Sequence, residues 1–269
     1  QTISFQEFFI RLARQLISHL DDAGLIDNVF RVDMRLRPYG DSGPLVVHRA
    51  AMEKYYLEQG RDWERYAFIK ARAIAGDLEG GRDFLSWLSP FVYRRHQDYS
   101  AVQSLREMKG LITRQIELNE MSQDLKLGPG GIREIEFIAQ AHQLIWGGKH
   151  PALQKPELMQ VLESLVDEGF LPVEEVSALR EAYVFLRNSE HAIQAEFDRQ
   201  THLLPGDEVS QSRLADAMGY DDYAYYLVAL EAHRKRVSQL FAQLVSTKGM
   251  APNENVAEAW VNAWKSPTN

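Results

Sequence analysis

The sequence has no cysteine among its 269 residues. A disulfide framework is therefore excluded, and so are zinc sites or iron–sulfur clusters held by cysteine thiolates. No apolar run approaches the roughly 20 residues that a membrane-spanning helix needs, and the N-terminus lacks the layout of a signal peptide. These absences predict a soluble, cytoplasmic protein without membrane contact.

Positive charge is also scarce, since 30 lysines and arginines stand against 38 aspartates and glutamates, for a net charge of −8. An acidic chain argues against broad nucleic-acid binding. The eight histidines show no metal-ligand spacing such as H-x-x-x-H. The 45% of apolar residues is enough to fill one large core or two of ordinary size.

Strand signals are rare, and the clearest one lies at residues 30–38. Apolar and charged residues alternate there, with Phe30, Val32, Met34 and Leu36 on one side and Arg31, Asp33, Arg35 and Arg37 on the other. This alternation predicts a half-buried β-strand that ends at Pro38, with a short return strand at 44–47. Because two strands do not form a stable sheet alone, we expect the chain to begin in the middle of a domain.

The charged side of this stretch is the first candidate site. Asp33 stands among three arginines, a layout that suits a divalent metal beside a phosphate-bearing substrate. Arginines bind phosphate with two parallel hydrogen bonds of fixed geometry. A solvated strand face with ion pairs accounts for the same pattern, and alternation alone leaves both interpretations open.

Most of the remaining chain has helical periodicity. An amphipathic helix follows the capping-box spacing of Ser4 and Glu7, and two shorter helices are predicted at 51–59 and 63–75. From Arg82 onward, amphipathic segments joined by short turns predict an antiparallel helical bundle. We expect three parts, namely a mixed domain at 1–100, the bundle at 101–249, and a linker with the start of a further segment at 250–269.

The sequence KLGPGGIREIEF at 126–137 is the second candidate site. A glycine loop before a helix offers free backbone N–H groups and the positive end of the helix dipole, which suits an anion. Lys126 and Arg133 flank the loop, whereas Glu134 and Glu136 are two residues apart and point to different sides of the helix. An ordinary flexible helix start is the competing interpretation.

Two other features have structural interpretations that we favour. The sequence GRDWERY at 60–66 could line the polar face of the strand, but a salt-bridged helix start explains it as well and is preferred. His142 lies on a mostly apolar helix and is predicted to be a structural residue.

Taken together, these stretches resemble one family. The segments that carry the resemblance are RVDMRLRP at 31–38, SGPLV at 42–46, QGRDWERYA at 59–67, KAR at 70–72 and KLGPGGIREIEF at 126–137. They are similar to the bacterial bifunctional glutamine synthetase adenylyltransferase/adenylyl-removing enzymes. That family has two nucleotidyltransferase-fold halves, and the sequence here is more like the N-terminal, adenylyl-removing half.

The resemblance implies an α+β, predominantly helical fold: a partial polymerase-β-like nucleotidyltransferase domain in 1–100, followed by an α-helical bundle. The family's site has a Gly-Ser element and an Asp-x-Asp pair on an earlier strand, and Asp33 corresponds to a third aspartate on the next strand. This chain has neither the Gly-Ser dipeptide nor an Asp-x-Asp pair. We therefore expect a fragment that is inactive alone.

The implied reaction is phosphorolysis, in which inorganic phosphate attacks the AMP–tyrosine bond of modified glutamine synthetase and gives ADP. Two Mg²⁺ ions would serve the complete site, with Asp33 as catalytic residue and metal ligand. Glutamine synthetase, the PII signal protein, phosphate and ADP or ATP are the implied partners, in the control of nitrogen assimilation. The candidate phosphate or nucleotide contacts are Arg35, Arg37, Lys70, Arg72, Lys126, Gly130, Gly131 and Arg133.

Two alternatives stay open at this point. A PII-type uridylyltransferase relative would share the fold and the helical region but would act on a different substrate. A non-catalytic helical module that docks glutamine synthetase or PII belongs to another functional class. Metal titration separates the enzymes from the docking module, because a binder needs no Mg²⁺.

Overall fold

The structure is a computed structural model that describes residues 3–21, 32–94, 107, 110, 114, 123–197 and 200–244. The described residues divide into two compact units, one within 3–92 and the other within 93–244. Phe30, Arg31 and the predicted linker at 250–269 lie outside the described residues. Both units are built predominantly from helices, as the sequence predicts.

The described residues of the first unit form four α-helices: α1 (Phe5–Asp21), α2 (Arg49–Glu58), α3 (Asp62–Phe68) and α4 (Leu78–Val92). The His48 side chain caps α2 by accepting a hydrogen bond from the Ala50 N–H. Both α2 and α3 pack against α4, around a core of aromatic and aliphatic side chains. The buried apolar residues of this core are Tyr55, Tyr56, Tyr66, Ile69, Leu88 and Val92.

The strand predicted at 30–38 is wrong over the described part of that stretch, and so is the return strand at 44–47. Residues 35–39 instead form successive turns, which lead into a 3₁₀ turn, Gly40–Ser42. Their backbone groups bond locally, for example from Gly40 N to Arg37 O at 2.9 Å and from Gly43 N to Gly40 O at 3.1 Å. Alternation fits a strand only where another strand accepts its hydrogen bonds, and the described residues supply none.

The α-helices whose bounds lie in the described residues of the second unit are α5 (Ile132–Trp146), α6 (Leu158–Asp167), α7 (Val173–Phe197), α8 (Glu208–Ala217) and α9 (Tyr223–Leu244). Residues 107, 110 and 114 are helical as well. Helix α9 packs against α5, α7 and α8, and α6 packs against α5 and α7. Nearly every residue of α5 is buried, so this helix forms the centre of the unit. A short 3₁₀ turn, Pro151–Leu153, connects α5 to α6.

His142 is one of the buried residues of α5. Its Nδ1 lies 2.7 Å from the Ile138 carbonyl oxygen, and burial lowers its pKa. This placement agrees with the structural role expected from the sequence. Among the helices of the described residues, none combines the length and the apolar character that a membrane crossing requires.

Candidate functional site

Asp33 and Arg35, which the sequence predicts to act together, do meet in the first unit. The Asp33 carboxylate accepts hydrogen bonds from Arg35 Nε at 2.9 Å and from Nη2 at 2.5 Å, and Asp33 Oδ1 also accepts the Arg35 backbone N–H at 3.0 Å. The hydrogen bond to Asp33 raises the pKa of Arg35. The side chains are 43% and 35% exposed, so the pair is open to solvent.

Arg37 lies elsewhere, contrary to the expectation that it shares a face with Asp33. Its Nη1 donates to the Met34 carbonyl at 2.6 Å, and its Nε donates to the Gly43 carbonyl at 3.2 Å. Asp41 lies 3.5 Å from the same guanidinium. Because no strand forms here, alternation no longer aligns the two arginines, and Arg37 closes the loop between Met34 and Gly43.

The described residues do not fit the expected two-metal site. Among them, no group of three histidine, aspartate or glutamate side chains could hold a metal ion. Asp33 supplies one carboxylate, and both of its oxygens accept hydrogen bonds from Arg35. Mg²⁺ needs further oxygen ligands around it, so Asp33 as a metal ligand stays a prediction.

Lys70 and Arg72 follow the end of α3 and expose their side chains. Their predicted contacts with phosphate or nucleotide also stay predictions.

The GRDWERY stretch forms the start of α3, in agreement with the favoured structural interpretation. Glu64 and Arg65 are each 1% exposed. Glu64 Oε2 accepts the Arg61 N–H at 2.8 Å and Oε1 accepts the Tyr55 hydroxyl at 3.0 Å, whereas Arg65 donates twice to the Val92 carbonyl. Burial raises the pKa of Glu64, and the hydrogen bonds from Arg61 and Tyr55 oppose that rise.

The glycine loop before α5 does not offer free N–H groups to an anion. Asp124 Oδ1 accepts the N–H groups of Lys126 and Leu127 at 2.8 and 2.7 Å, and the Glu134 carboxylate accepts that of Gly130 at 3.1 Å. The other donors in 125–134 bond to backbone carbonyls, as in Leu125 to His202, Gly128 to Asp124, Gly131 to Gly128, Ile132 to Leu125, Arg133 to Lys126 and Glu134 to Gly131. The prediction that free backbone N–H groups at Gly130 and Gly131 bind an anion is therefore wrong.

The two glycines instead allow close backbone packing. Gly130 has a φ of +66°, and a Cβ at this position would lie 2.1 Å from the Arg234 carbonyl oxygen of α9. A Cβ on Gly131 would lie 2.7 Å from the Leu125 carbonyl oxygen. Arg133 is buried beside this loop, and Lys126 is half-buried. Their contacts with phosphate stay a prediction.

A partly buried charge network that the sequence analysis did not predict links α5 to α7. Arg187 lies 2.9 Å from Glu136 and 2.7 Å from Glu190, and His202 Nδ1 lies 2.9 Å from Glu190. The Arg187 guanidinium also lies 5.1 Å from the centre of the Tyr183 ring. The local signals were the spacings of Arg187 with Glu190 (i, i+3) and with Tyr183 (i, i+4), whereas Glu136 and His202 are more distant in sequence.

Glu190 of this network contributes a dependence on acid to the stability of the second unit. Burial favours a high pKa for Glu190, but its close contacts with His202 and Arg187 outweigh it and lower the pKa to about 2. The unperturbed value is 4.5. Glu190 therefore contributes stability that is fully present above pH 4.5 and is lost as the pH falls towards 2.

We expect Glu190→Gln to lower the free energy of unfolding by about 3 kcal/mol at neutral pH, since each pKa unit corresponds to about 1.4 kcal/mol. The variant should also lose much of the stability change between pH 4.5 and 2. Urea unfolding followed by circular dichroism at several pH values measures both effects. Arg180→Ala is the control, because Arg180 and Glu163 form an exposed pair that should contribute under about 1 kcal/mol. Equal losses in the two variants would contradict the prediction.

Comparisons with known proteins give the family. Residues 1–87 match a family model described as glutamate-ammonia ligase adenylyltransferase. Residues 106–245 match a second family model, described as GlnD PII-uridylyltransferase. The first match covers the loop with Asp33, and the second covers the glycine loop and the charge network.

Curated relatives match nearly the whole chain. A protein of Pseudomonas syringae pv. tomato is 49% identical over 97% of this chain, and one of Hahella chejuensis is 51% identical over 94%. A Pseudomonas aeruginosa protein is 48% identical over 98%. All three are named bifunctional glutamine synthetase adenylyltransferase/adenylyl-removing enzyme. The chain spans between 26% and 28% of their lengths.

The matched descriptions are those of an adenylyltransferase and a uridylyltransferase, both in the class of nucleotidyltransferases, and the chain is similar to segments of such enzymes. Within this class it belongs to the family of the bifunctional glutamine synthetase adenylyltransferase/adenylyl-removing enzymes. The resemblance drawn from the sequence motifs is thereby confirmed.

Proposed function

We propose that this chain forms part of the adenylyl-removing half of an enzyme that regulates glutamine synthetase. In the proposed reaction an oxygen of inorganic phosphate attacks the phosphorus of the AMP–tyrosine ester. The bond from phosphorus to the tyrosine oxygen breaks, ADP leaves, and the tyrosine oxygen takes up a proton. The relatives' name, at about half identity across this chain, is the observation that carries the proposal.

Arg35 is the residue that we assign to the phosphoryl group. Its guanidinium already forms parallel hydrogen bonds to a carboxylate, and a phosphoryl group offers the same pair of oxygen acceptors. Partial exposure lets a substrate reach it. Asp33 orients Arg35, and as a Mg²⁺ ligand it would need partners beyond the described residues. Lys70 and Arg72 belong to the same proposal as outer contacts for phosphate or nucleotide.

The finer architecture belongs to the proposal as well. We assign 1–100 to the C-terminal part of a polymerase-β-like nucleotidyltransferase domain and 101–249 to a helical domain, with 250–269 leading to a further segment. Glutamine synthetase, PII, phosphate and adenine nucleotides are the proposed partners, in the cytoplasm. The family matches over 1–87 and 106–245 support this division into two parts.

A second candidate function is uridylyl transfer to PII. The family match over 106–245, described as GlnD PII-uridylyltransferase, is the observation in its favour. A helical docking module for glutamine synthetase or PII would fit the same region without catalysis. The match of the loop with Asp33 to the adenylyltransferase family favours the first candidate.

The test uses the full-length enzyme to which we assign this segment. Incubation with adenylylated glutamine synthetase, phosphate and Mg²⁺ should release ADP, whereas incubation with UTP and PII should not label PII. Labelled PII without ADP release would support the uridylyltransferase alternative. Binding without either reaction, and without dependence on Mg²⁺, would support the docking module.

Arg35→Lys tests the assigned phosphoryl contact. Lysine keeps the charge but loses the two-pronged geometry, so kcat/KM for phosphorolysis should fall tenfold to a hundredfold, on the order of 1.4–3 kcal/mol. Arg37→Lys should instead lower the melting temperature, because it loses hydrogen bonds to two carbonyl groups. Arg49→Lys, which alters an exposed pair with Glu53, is the neutral control. Unchanged phosphorolysis in Arg35→Lys would refute the assignment.

A further inference from the structure

The backbone of Tyr39 is strained, although the residue is largely exposed. Its φ of 64° and ψ of 10° lie in the left-handed region, and among the described residues it is the one non-glycine residue with positive φ. Side chains rarely adopt this conformation, and it persists only where the surroundings hold it. A glycine or an asparagine would adopt it more easily, so the tyrosine side chain must provide something that they cannot.

The side chain of Tyr39 packs against the buried ring of Tyr55. Its ring meets the Tyr55 ring edge to face, with the ring centres 4.7 Å apart. Tyr55 is 6% exposed, and its hydroxyl donates to Glu64 Oε1 at 3.0 Å. The second Glu64 oxygen accepts the Arg61 N–H at the start of α3. Helices α2 and α3 thus fix the position of the Tyr39 ring.

The backbone of Tyr39 connects the Tyr55 ring contact to the loop that carries Asp33. The Tyr39 carbonyl accepts the Ser42 N–H at 3.2 Å, and Arg37 accepts the Gly40 N–H at 2.9 Å. Arg37 in turn bonds to the Met34 and Gly43 carbonyls on the two sides of the loop. Through these hydrogen bonds, the backbone conformation of Tyr39 influences the path of residues 33–37.

We propose that Tyr39 is a positioning residue, which Tyr55 and Glu64 hold in place so that the Asp33–Arg35 pair meets the phosphoryl group in a fixed orientation. This inference rests on the proposed function. A displacement of about 1 Å at a reacting group can lower the rate a hundredfold, so a small shift of the loop after loss of the ring contact is enough to lower kcat.

The experiment replaces Tyr39 by residues that suit the left-handed backbone but lack the ring. In the full-length enzyme, Tyr39→Gly and Tyr39→Asn should lower kcat for phosphorolysis about tenfold or more, with KM for adenylylated glutamine synthetase within about twofold of wild type. The melting temperature should stay the same or rise, because the backbone strain is relieved. Tyr39→Phe keeps the ring and should restore kcat.

Three results would overturn the inference: wild-type kcat in both ringless variants, a fall in melting temperature with an equal loss of the adenylylation activity, or a failure of Tyr39→Phe to restore kcat. Asp33→Asn, assayed in parallel, separates this inference from the proposed function. If Asp33→Asn keeps full phosphorolysis, the proposed function fails. If Asp33→Asn is inactive while the Tyr39 variants match wild type, only the positioning role fails.

A second readout is independent of activity. Hydrogen exchange of the Gly40, Ser42 and Gly43 amides reports whether the loop stays closed, since all three donate to loop carbonyls. Tyr55→Ala removes the ring that contacts Tyr39 and should speed the exchange of these three amides at least tenfold. Exchange of the α5 amides should be unchanged. Unchanged exchange of the loop amides would show that Tyr55 does not hold the loop in place.

Discussion

Replacing Asp33 by asparagine is expected to lower the rate of phosphorolysis of adenylylated glutamine synthetase more than about a thousandfold. This corresponds to a loss of about 4 kcal/mol of transition-state stabilisation. Asparagine keeps the shape of the side chain and removes its charge. Without that charge, the hydrogen bonds that orient Arg35 weaken, and no carboxylate is left for a metal. The measurement is ADP release by the full-length enzyme under saturating phosphate.

Asp41→Asn is a matched control, because it makes the same change in the same loop. Asp41 is 84% exposed and lies 3.5 Å from Arg37, so its replacement should leave phosphorolysis near wild type. Asp33→Asn itself should cost under about 1 kcal/mol of fold stability, since its ion pair is partly exposed. Equal loss of the adenylylation activity would point to misfolding and would refute the assignment.

Replacing Gly130 by alanine is expected to destabilise the second unit by at least about 3 kcal/mol. Two penalties add: the positive φ costs an alanine roughly 1–2 kcal/mol, and overlap with the Arg234 backbone costs more. The overlap is with backbone, which cannot rotate away as a side chain could. Urea unfolding of the chain, followed by far-UV circular dichroism, measures the loss.

Gly219→Ala separates the two penalties. Gly219 has a similar φ of +77°, but no atom lies within 4 Å of the position of an added Cβ. Its replacement should therefore cost only about 1 kcal/mol, through the backbone. Similar losses in the two variants would mean that the close approach of the glycine loop to α9 is not what requires Gly130.

The helices were largely predictable because their signals are local. Apolar spacing and capping residues lie within a few positions of one another, and the structure forms helices in most of the described regions with this pattern. The chain from Trp63 shows the limit of such signals. The helix expected at 63–75 ends at Phe68, although the apolar spacing continues.

The candidate site was predictable in part. The proximity of Asp33 and Arg35 survives the loss of the strand, because residues two apart can also meet in a turn. The place of Arg37 was not predictable, since its partners depend on how the loop closes. The glycine loop was found as a motif, but its donors turned out to be occupied by the chain's own oxygens.

The sequence by itself determined the family, the helical character and the residue types of the candidate site, because motifs and periodicity can be read along the chain. Only the tertiary structure decided which charges are buried. The buried Arg65 and Arg234 reach carbonyls 27 and 110 positions away, and the half-buried Arg187 reaches a carboxylate 51 positions away. A buried charge is stable only with such partners, and no local pattern reveals a partner that packing brings from elsewhere in the chain.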